Sequence, residues 1–352
     1  RQTPDRPHGS TVSVTPPPQD AANRASKPME TCFRTGAPFP FGPPIVPETA
    51  PLRRVTFGDA AIRRLPLTSA AVPGLLAFHA HPDDESLSMG GTLARYADAG
   101  EYVVVVTATN GEVGEIHNHD DPESIRDRLG DVRIGELESA CRILGVSYGE
   151  LLGYRDSGMM GTADNDRPEC FWQADFMEAV GKLVSVIRRH RPEVVTCYDP
   201  YGGYGHPDHI QVHRVGTAAF FGAADVGRFP PADGEEPWQP SKLYWATWPR
   251  ERSRRARRVM ADAGHISEEE AAEEPSAGTR DEDITTHIDV RPWFDRKWEA
   301  VLAHHTQIAA DSWFRTLPED VRREGFGEET FTLVFSRVES DPAAPDLFAG
   351  LR

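Results

Sequence analysis

Cysteine is scarce in this chain. Four residues in 352, Cys32, Cys141, Cys170 and Cys197, stand far apart and form no CxxC pair. That scatter excludes a disulfide framework and a structural zinc ribbon, and it fits thiols kept reduced in a cytoplasmic setting. Positive charge is also short, with 38 Lys and Arg against 55 Asp and Glu and a net charge of −17. Such a balance argues against a generic nucleic-acid or anionic-membrane surface, while saying nothing of what a small pocket binds. No stretch approaches the ~18 consecutive apolar residues of a membrane span. The chain opens on Arg1 without the apolar core of a signal peptide, and no internal repeat is visible.

A hydrophobic share of 39% and a charged share of 26% describe a globular protein with one large or two modest domains. Residues 1–70, with "TPPPQD" and "PFPFGPPIVPE", read as a flexible Pro-rich arm. Within it, "RRVTFGDAAIRRLPL" is placed to lay a few residues against the domain. Residues 71–225 read as a Rossmann-like core, and 226–352 as a smaller C-terminal α+β part that completes the sheet and the pocket.

The core reading rests on alternation. "GLLAFHA" is a short buried strand, "MGGTLARYADAG" a helix closed by Gly100, and "YVVVVTATN" the β-branched composition of a buried parallel strand. Leu129, Val132, Leu137, Cys141 and Leu144 recur at helical spacing, predicting a helix from about Ile125 to Leu144. "SYGELLGY" supplies a strand, "FMEAVGKLVSVIRRH" an amphipathic helix with a basic last turn, and "EVVTCY" the next strand. Strands alternating with helices predict an α/β fold, a mostly parallel sheet with helices on both faces. Further on, "SKLYWATW", "DITTHIDV" and "TFTLVFSRV" read as strands and "WFDRKWEAVLAHH" as a helix. The basic run Arg250–Arg258 and the acidic run Glu268–Glu274 read as solvated faces of one exposed helical excursion.

The chemistry sits in two clusters. "HAHPDDE" follows the first strand of the core, and "YDPYGGYGHPDHIQVH" follows "EVVTCY". Ligands of open parallel sheets bind at the carboxyl ends of strands, so the two clusters are placed to face each other across a crevice. His81, Asp84 and His209 offer two nitrogens and one oxygen, the donor set of a catalytic zinc site with a position left for water. A metal also relieves the repulsion between Asp83 and Asp84, leaving Asp83 to take the water proton as general base. His206 and Tyr204 are donors suited to the oxyanion of a tetrahedral carbonyl, and Asp208 is suited to hold an imidazole in the required tautomer. Each cluster alone also reads as ordinary helix capping; two of them after parallel strands favour the site. His79 and His213 fall outside it, as packing or supporting residues.

"AHPDDE" with a later "GGYGHPDH" resembles the LmbE-like, or PIG-L, zinc-dependent N-deacetylases. The resemblance covers about residues 74–350 and includes "RIGEL", "RDSGMMGT", "SKLYW", "AHHTQ" and "LFAGL". It implies His81, Asp84 and His209 as metal ligands and Asp83 as base. It also implies Tyr204 and His206 as stabilisers of the intermediate, His206 doubling as proton donor to the leaving amine. Arg133 of "RIGEL" and Asp156 of "RDSG" fall where sugar or inositol hydroxyls are held, although Arg133 equally suits a helix-surface ion pair with Glu136. Glu112 and Glu115 of "TNGEVGE" are placed to line the pocket, and His304 and Gln307 to close it or to pin the C-terminal part to the core.

The implied reaction is hydrolysis of the amide of an N-acylated glucosamine, with zinc as cofactor and iron(II) tolerated by the same His-Asp-His face. Two actinobacterial activities lie nearest. "RDSGMMGT" and "GGYGHPDH" point to an N-acetylglucosaminyl-inositol deacetylase, and "AHHTQI" and "PDLFAGLR" to a mycothiol S-conjugate amidase. A deacetylase or amidase of antibiotic biosynthesis stays open, as does a non-catalytic carbohydrate-binding protein of the same fold. A nucleotide-binding oxidoreductase lacks its GxGxxG turn. The expected partner is therefore a small N-acyl aminosugar or thiol conjugate, not nucleic acid or membrane, and a homo-oligomer stays open.

Overall fold

The structure of the chain is a computed structural model that describes residues 53–55 (backbone only) and 74–352, apart from Asp233, Ala263, His265 and Ser276. The Pro-rich arm expected over 1–70 lies outside the described residues except for that short strand. Residues from Pro51 to Arg352 form one compact unit, so position 225 marks a change of texture within a single core rather than a break.

Its backbone is one sheet of eight strands: β1 (Arg53–Val55), β2 (Gly74–His79), β3 (Tyr102–Thr109), β4 (Tyr148–Tyr154), β5 (Val194–Tyr198), β6 (Lys242–Thr247), β7 (Thr286–Asp289) and β8 (Glu328–Ser336). They lie in the order β1-β4-β3-β2-β5-β6-β8-β7. The central five are parallel. The C-terminal strands β8 and β7 add on antiparallel beyond β6, and β1 closes the other edge antiparallel to β4. The α-helices of the described residues are α1 (Asp84–Asp98), α2 (Leu129–Leu144), α3 (Phe176–His190), α4 (Pro207–Gly222), α5 (Arg250–Asp262), α6 (Glu268–Ala272), α7 (Phe294–Ala303), α8 (Trp313–Thr316) and α9 (Glu319–Phe326).

β2 and β3 are buried along nearly their whole length because helices cover both faces, as their unbroken apolar runs require. Their core is continuous: Leu76 and Phe78 of β2, Val104 and Val106 of β3, Leu93 of α1, Leu183 of α3 and Val215 of α4 belong to one buried cluster. Three elements differ from expectation. α1 begins at Asp84, five residues before "MGGT", because Asp84 and Glu85 form its acidic first turn. The helix expected from Ile125 opens as a 3-10 turn over Pro122–Arg128, and α2 proper starts at Leu129. The exposed excursion is two helices, α5 and α6, joined by ion pairs such as Arg254–Glu274 and Arg258–Glu268.

Strand order places the chemistry. β2 is flanked by β3 on one side and β5 on the other, so the chain leaves the sheet in opposite directions around it. This is the switch point at which open parallel sheets form a crevice. "HPDD" follows β2 and "DPYGGYGHPDH" follows β5, so both clusters meet at that crevice.

Candidate active site

Two imidazoles and a carboxylate converge there. His81 Nδ1 and His209 Nε2 lie 3.5 Å and 3.4 Å from the same Asp84 oxygen, Oδ2. Asp84 is set at the start of α1 and also accepts the His81 amide at 2.8 Å. His209 is presented from the first turn of α4, and Gly202 passes directly beside it with φ +65. Tyr198, the last residue of β5, stacks on the His209 ring at 4.6 Å. His79 Nδ1 lies 2.9 Å from the Tyr198 hydroxyl, and His213 Nδ1 lies 3.0 Å from its carbonyl. These two histidines therefore support the site from behind.

The other nitrogen of His81 is held by carboxylates. Nε2 lies 3.1 Å from Asp208 Oδ2 and 3.6 Å from Asp156 Oδ1. The imidazole held by Asp208 is thus that of His81, which fixes which ring nitrogen faces Asp84. Asp208 is itself held by the Ser157 amide at 2.9 Å and by the Ser157 hydroxyl. Asp156, expected against a sugar hydroxyl, stands inside this cluster, nearly fully buried, and accepts from the Gly158 amide at 2.8 Å.

Asp84, Asp156 and Asp208 thus bring three carboxylates around the His81 imidazole, and Asp83 adjoins them, paired with Arg133. Burial opposes charge on His81, but Asp156, Asp208 and Asp84 lift its pKa well above the ordinary histidine value. Burial likewise works against ionised Asp84, yet His209 and His81 hold it below the usual carboxylate range. Negative charge this concentrated and this buried calls for a cation. His81, Asp84 and His209 have the composition to hold a metal, and a second buried group, His81, Asp156, His206 and Asp208, adjoins them. The residues present fit the group.

Asp83 sits beside this set with φ +133, a conformation that favours glycine. Its Oδ2 accepts from Arg133 Nη2 at 3.2 Å. Burial pushes the Asp83 carboxyl up to about 6, Arg133 pulling against it and Asp84 adding to it. The Tyr204 hydroxyl lies 3.3 Å from His209 Nε2, and burial together with Asp84 raises its pKa. His206 caps α4, its Nδ1 accepting the Asp208 amide, which leaves the proton on Nε2. Burial and the neighbouring His81 and His209 push its pKa down to about 3.

Of the expected substrate contacts, Arg133 and Glu115 have other partners. Arg133 is buried and donates to the Gly111 and Pro82 carbonyls at 2.7 Å each as well as to Asp83. It clamps the loop that carries Asp83, and its Nε has no hydrogen-bond partner among the described residues. Nor does it pair with Glu136, which bonds the amide and hydroxyl of Thr306. Glu115 is 86% exposed, paired with His117 at the surface. Glu112 is half-buried and accepts the Asp156 amide at 3.3 Å. His304 and Gln307 pin rather than close: His304 Nε2 lies 2.7 Å from Glu85, and Gln307 donates to the Glu115 carbonyl at 3.0 Å. Sequence reasoning missed Glu85 and Ser157. Their signal lay within the motifs themselves, as the third acid of "HPDDE" and the serine of "RDSG".

A cavity of about 350 Å³ opens from Asp84, Tyr204 and His209 and runs between Leu87, Ala246, Trp248 and Phe326.

A buried two-histidine, one-carboxylate centre with an adjacent carboxylate, at the carboxyl edge of a parallel sheet, is equipped for hydrolysis of a carbonyl compound. Residues 76–220 match the family described as PIG-L: GlcNAc-PI de-N-acetylase. The chain is 43% identical over 297 residues to the 1D-myo-inositol 2-acetamido-2-deoxy-alpha-D-glucopyranoside deacetylase of Thermomonospora curvata, covering 79% of this chain and 96% of that one. It is 44% identical over 290 residues to the protein of the same description from Streptomyces avermitilis, covering 79% and 97%. Its fold is similar to that of N,N'-diacetylchitobiose deacetylase from Pyrococcus horikoshii, with a TM-score of 0.53 at 20% identity over 74% of this chain and 83% of that chain. The chain belongs to the PIG-L family, and these two near full-length relatives are described as deacetylases of an inositol-linked acetamido sugar.

Proposed function

We propose that this chain hydrolyses the acetamide of an inositol-linked N-acetylglucosamine, releasing acetate and the free amine. The observation that carries the reading is the convergence of His81, Asp84 and His209 with Asp83 poised beside them. The near full-length similarity to deacetylases of that sugar supports the substrate. A divalent metal bound by the three ligands supplies a Lewis acid for the carbonyl and makes water acidic at neutral pH. Zinc suits two imidazoles and a carboxylate, with iron(II) second. Asp83 receives the proton of the attacking water; burial makes it basic, and Arg133 favours its ionised form. Tyr204 and His206 donate to the oxyanion as the carbonyl becomes tetrahedral. The proton that Asp83 takes from the water then passes to the departing amine. Asp208 acts through His81 by fixing its ring. Asp156 and Glu112 stand at the same edge, where a sugar hydroxyl meets acceptors. Cys141, Cys170 and Cys197 are buried free thiols, which supports a reducing cytoplasm.

A second substrate is favoured by one feature. The cavity beside Asp84 and His209 is mostly apolar and far larger than the methyl of an acetyl group. A larger acyl group, such as an S-conjugated acyl-cysteine on the same glucosamine, would fill it. Amine release from the two substrates by zinc-loaded protein decides between them. We expect turnover of the acetylated sugar and a loss of ~10²-fold or more on Asp83→Asn. Preference for the conjugate would move the reading to amidase, and release from neither substrate by metal-replete protein would reject it.

A further inference from the structure

The third acid of "HPDDE" has no part in the chemistry above, yet it is among the most deeply buried charges in the protein. Glu85 and His304 are both fully enclosed, with His304 Nε2 2.7 Å from Glu85 Oε1. The other Glu85 oxygen, Oε2, accepts the backbone amide of Asp83 at 3.1 Å. Ser86 donates its hydroxyl to Oε1 at 2.5 Å. His304 ends α7 on the far side of the chain, and its Nδ1 has no hydrogen-bond partner among the described residues. Among the described residues, the hydrogen-bond partner of that ring is therefore Glu85.

We propose that Glu85 and His304 are a positioning pair that holds Asp83 in its strained backbone conformation, so that its carboxylate faces the attacking water. This rests on Asp83 being the base of the proposed reaction. A non-glycine residue at φ +133 is strained and persists only where its surroundings impose it. Two grips do so. Arg133 holds the loop from the outer side, through the Pro82 carbonyl and the Asp83 carboxylate. Glu85 holds it from the inner side, through the Asp83 amide. A side chain that only capped α1 could do so from solvent. Burying a carboxylate and an imidazole completely is costly, and the pair recovers that cost only in a fixed geometry. His304 supplies the fixity: the adjoining Thr306 bonds Glu136 of α2, and Asn118 donates to the His305 and Ile308 carbonyls. The C-terminal part thereby reaches the base through a single buried pair.

Glu85→Gln, isosteric with the native side chain, and His304→Gln, which keeps a donor, test the pair on the acetylated sugar. Parent protein is the control. If it releases no amine, the proposed reaction fails; if it does, the variants judge the pair. We expect kcat to fall about 10–100-fold in each variant, as displacement of a reacting group by a fraction of an ångström allows. KM and zinc affinity, from competition with a chromogenic chelator, should stay within about twofold. The cycle with Asp83→Asn is decisive: once the base is gone, Glu85→Gln should cost nothing further. Equal losses in both backgrounds, kcat at the parent value, zinc affinity falling in step with kcat, or failure of both variants to fold would each overturn the proposal. The last outcome would make the pair a requirement of the fold alone.

Discussion

Asp83 and Asp84 are neighbours in sequence with opposite protonation behaviour, and environment alone separates them. Asp84 lies between two imidazoles that hold it ionised. Asp83 is buried beside that charge and raised to about 6 despite Arg133. Two carboxyls pushed apart in this way are suited to two jobs, one as ligand and one as base. The base works only when deprotonated, so kcat/KM should rise with pH through the Asp83 titration, between the ordinary carboxylate value near 4 and about 6. A pH–rate profile checks this, and in Asp83→Asn the acid limb should vanish with the activity. A limb lying above pH 7 would assign the titration to another group. Stability runs the opposite way. A carboxyl whose folded pKa is raised favours the folded state below its unfolded pKa, and that contribution is lost as pH climbs through about 6. The His81, Asp84 and His209 group and the residues proposed as base and oxyanion donors were legible because "HPDD" and "GGYGHPDH" pack them into short stretches. Arg133 was legible only as a polar residue on a helix. Its partners, Pro82 and Gly111, are main-chain carbonyls 51 and 22 residues away, and no local pattern encodes them.

Elements bring these residues within reach, and glycine decides how closely. The loop after β5 crosses the face of α4 at Gly202, with φ +65. A Cβ there would lie 2.5 Å from the His209 Cβ and 2.7 Å from its carbonyl carbon. Neither neighbour can yield without moving the ligand. Gly202→Ala should therefore weaken metal binding by about tenfold or more, since the new contact and the left-handed backbone act on the same turn. Titration of metal-free protein against a chelator measures this, and unchanged affinity would show that the turn yields without carrying His209 along. The same scale explains which elements the sequence revealed. β2, β3, β5 and α3 are continuous apolar runs or a clean amphipathic helix, and they appear within a residue or so of expectation. The first turn of α1 was hidden because Asp84 and Glu85 read as loop chemistry, although acids suit a helix N-terminus. The start of α2 was displaced because Pro122 opens a 3-10 turn that carries Ile125 into the core ahead of the helix.

The whole molecule is held together by contacts between its first and last thirds. Glu329 of β8 lies 2.7 Å from Lys297 of α7, and both side chains are almost wholly buried. Its two oxygens also accept the Gly91 and Thr92 amides of α1, at 2.9 and 2.7 Å. One carboxylate thus joins β8 to nearby α7 and, 238 residues back along the chain at Gly91, to α1, and Lys297 and Glu329 also wall the cavity that opens from Asp84. Removing one partner leaves a charge buried without its counterion, which costs about 3–5 kcal/mol, whereas replacing both by apolar groups of similar size restores much of it. Glu329→Leu should therefore lower Tm by about 10 °C. Lys297→Met combined with Glu329→Leu should recover part of that loss, the amide contacts to α1 remaining unmade. The His81, Asp84 and His209 donors do not touch the pair, so zinc affinity of the folded variants should stay near that of the parent. Calorimetry of the single and double variants at pH 7 reads the outcome. A double variant as unstable as the single one would mean that the α1 amides, rather than the ion pair, carry the coupling between the two ends of the chain.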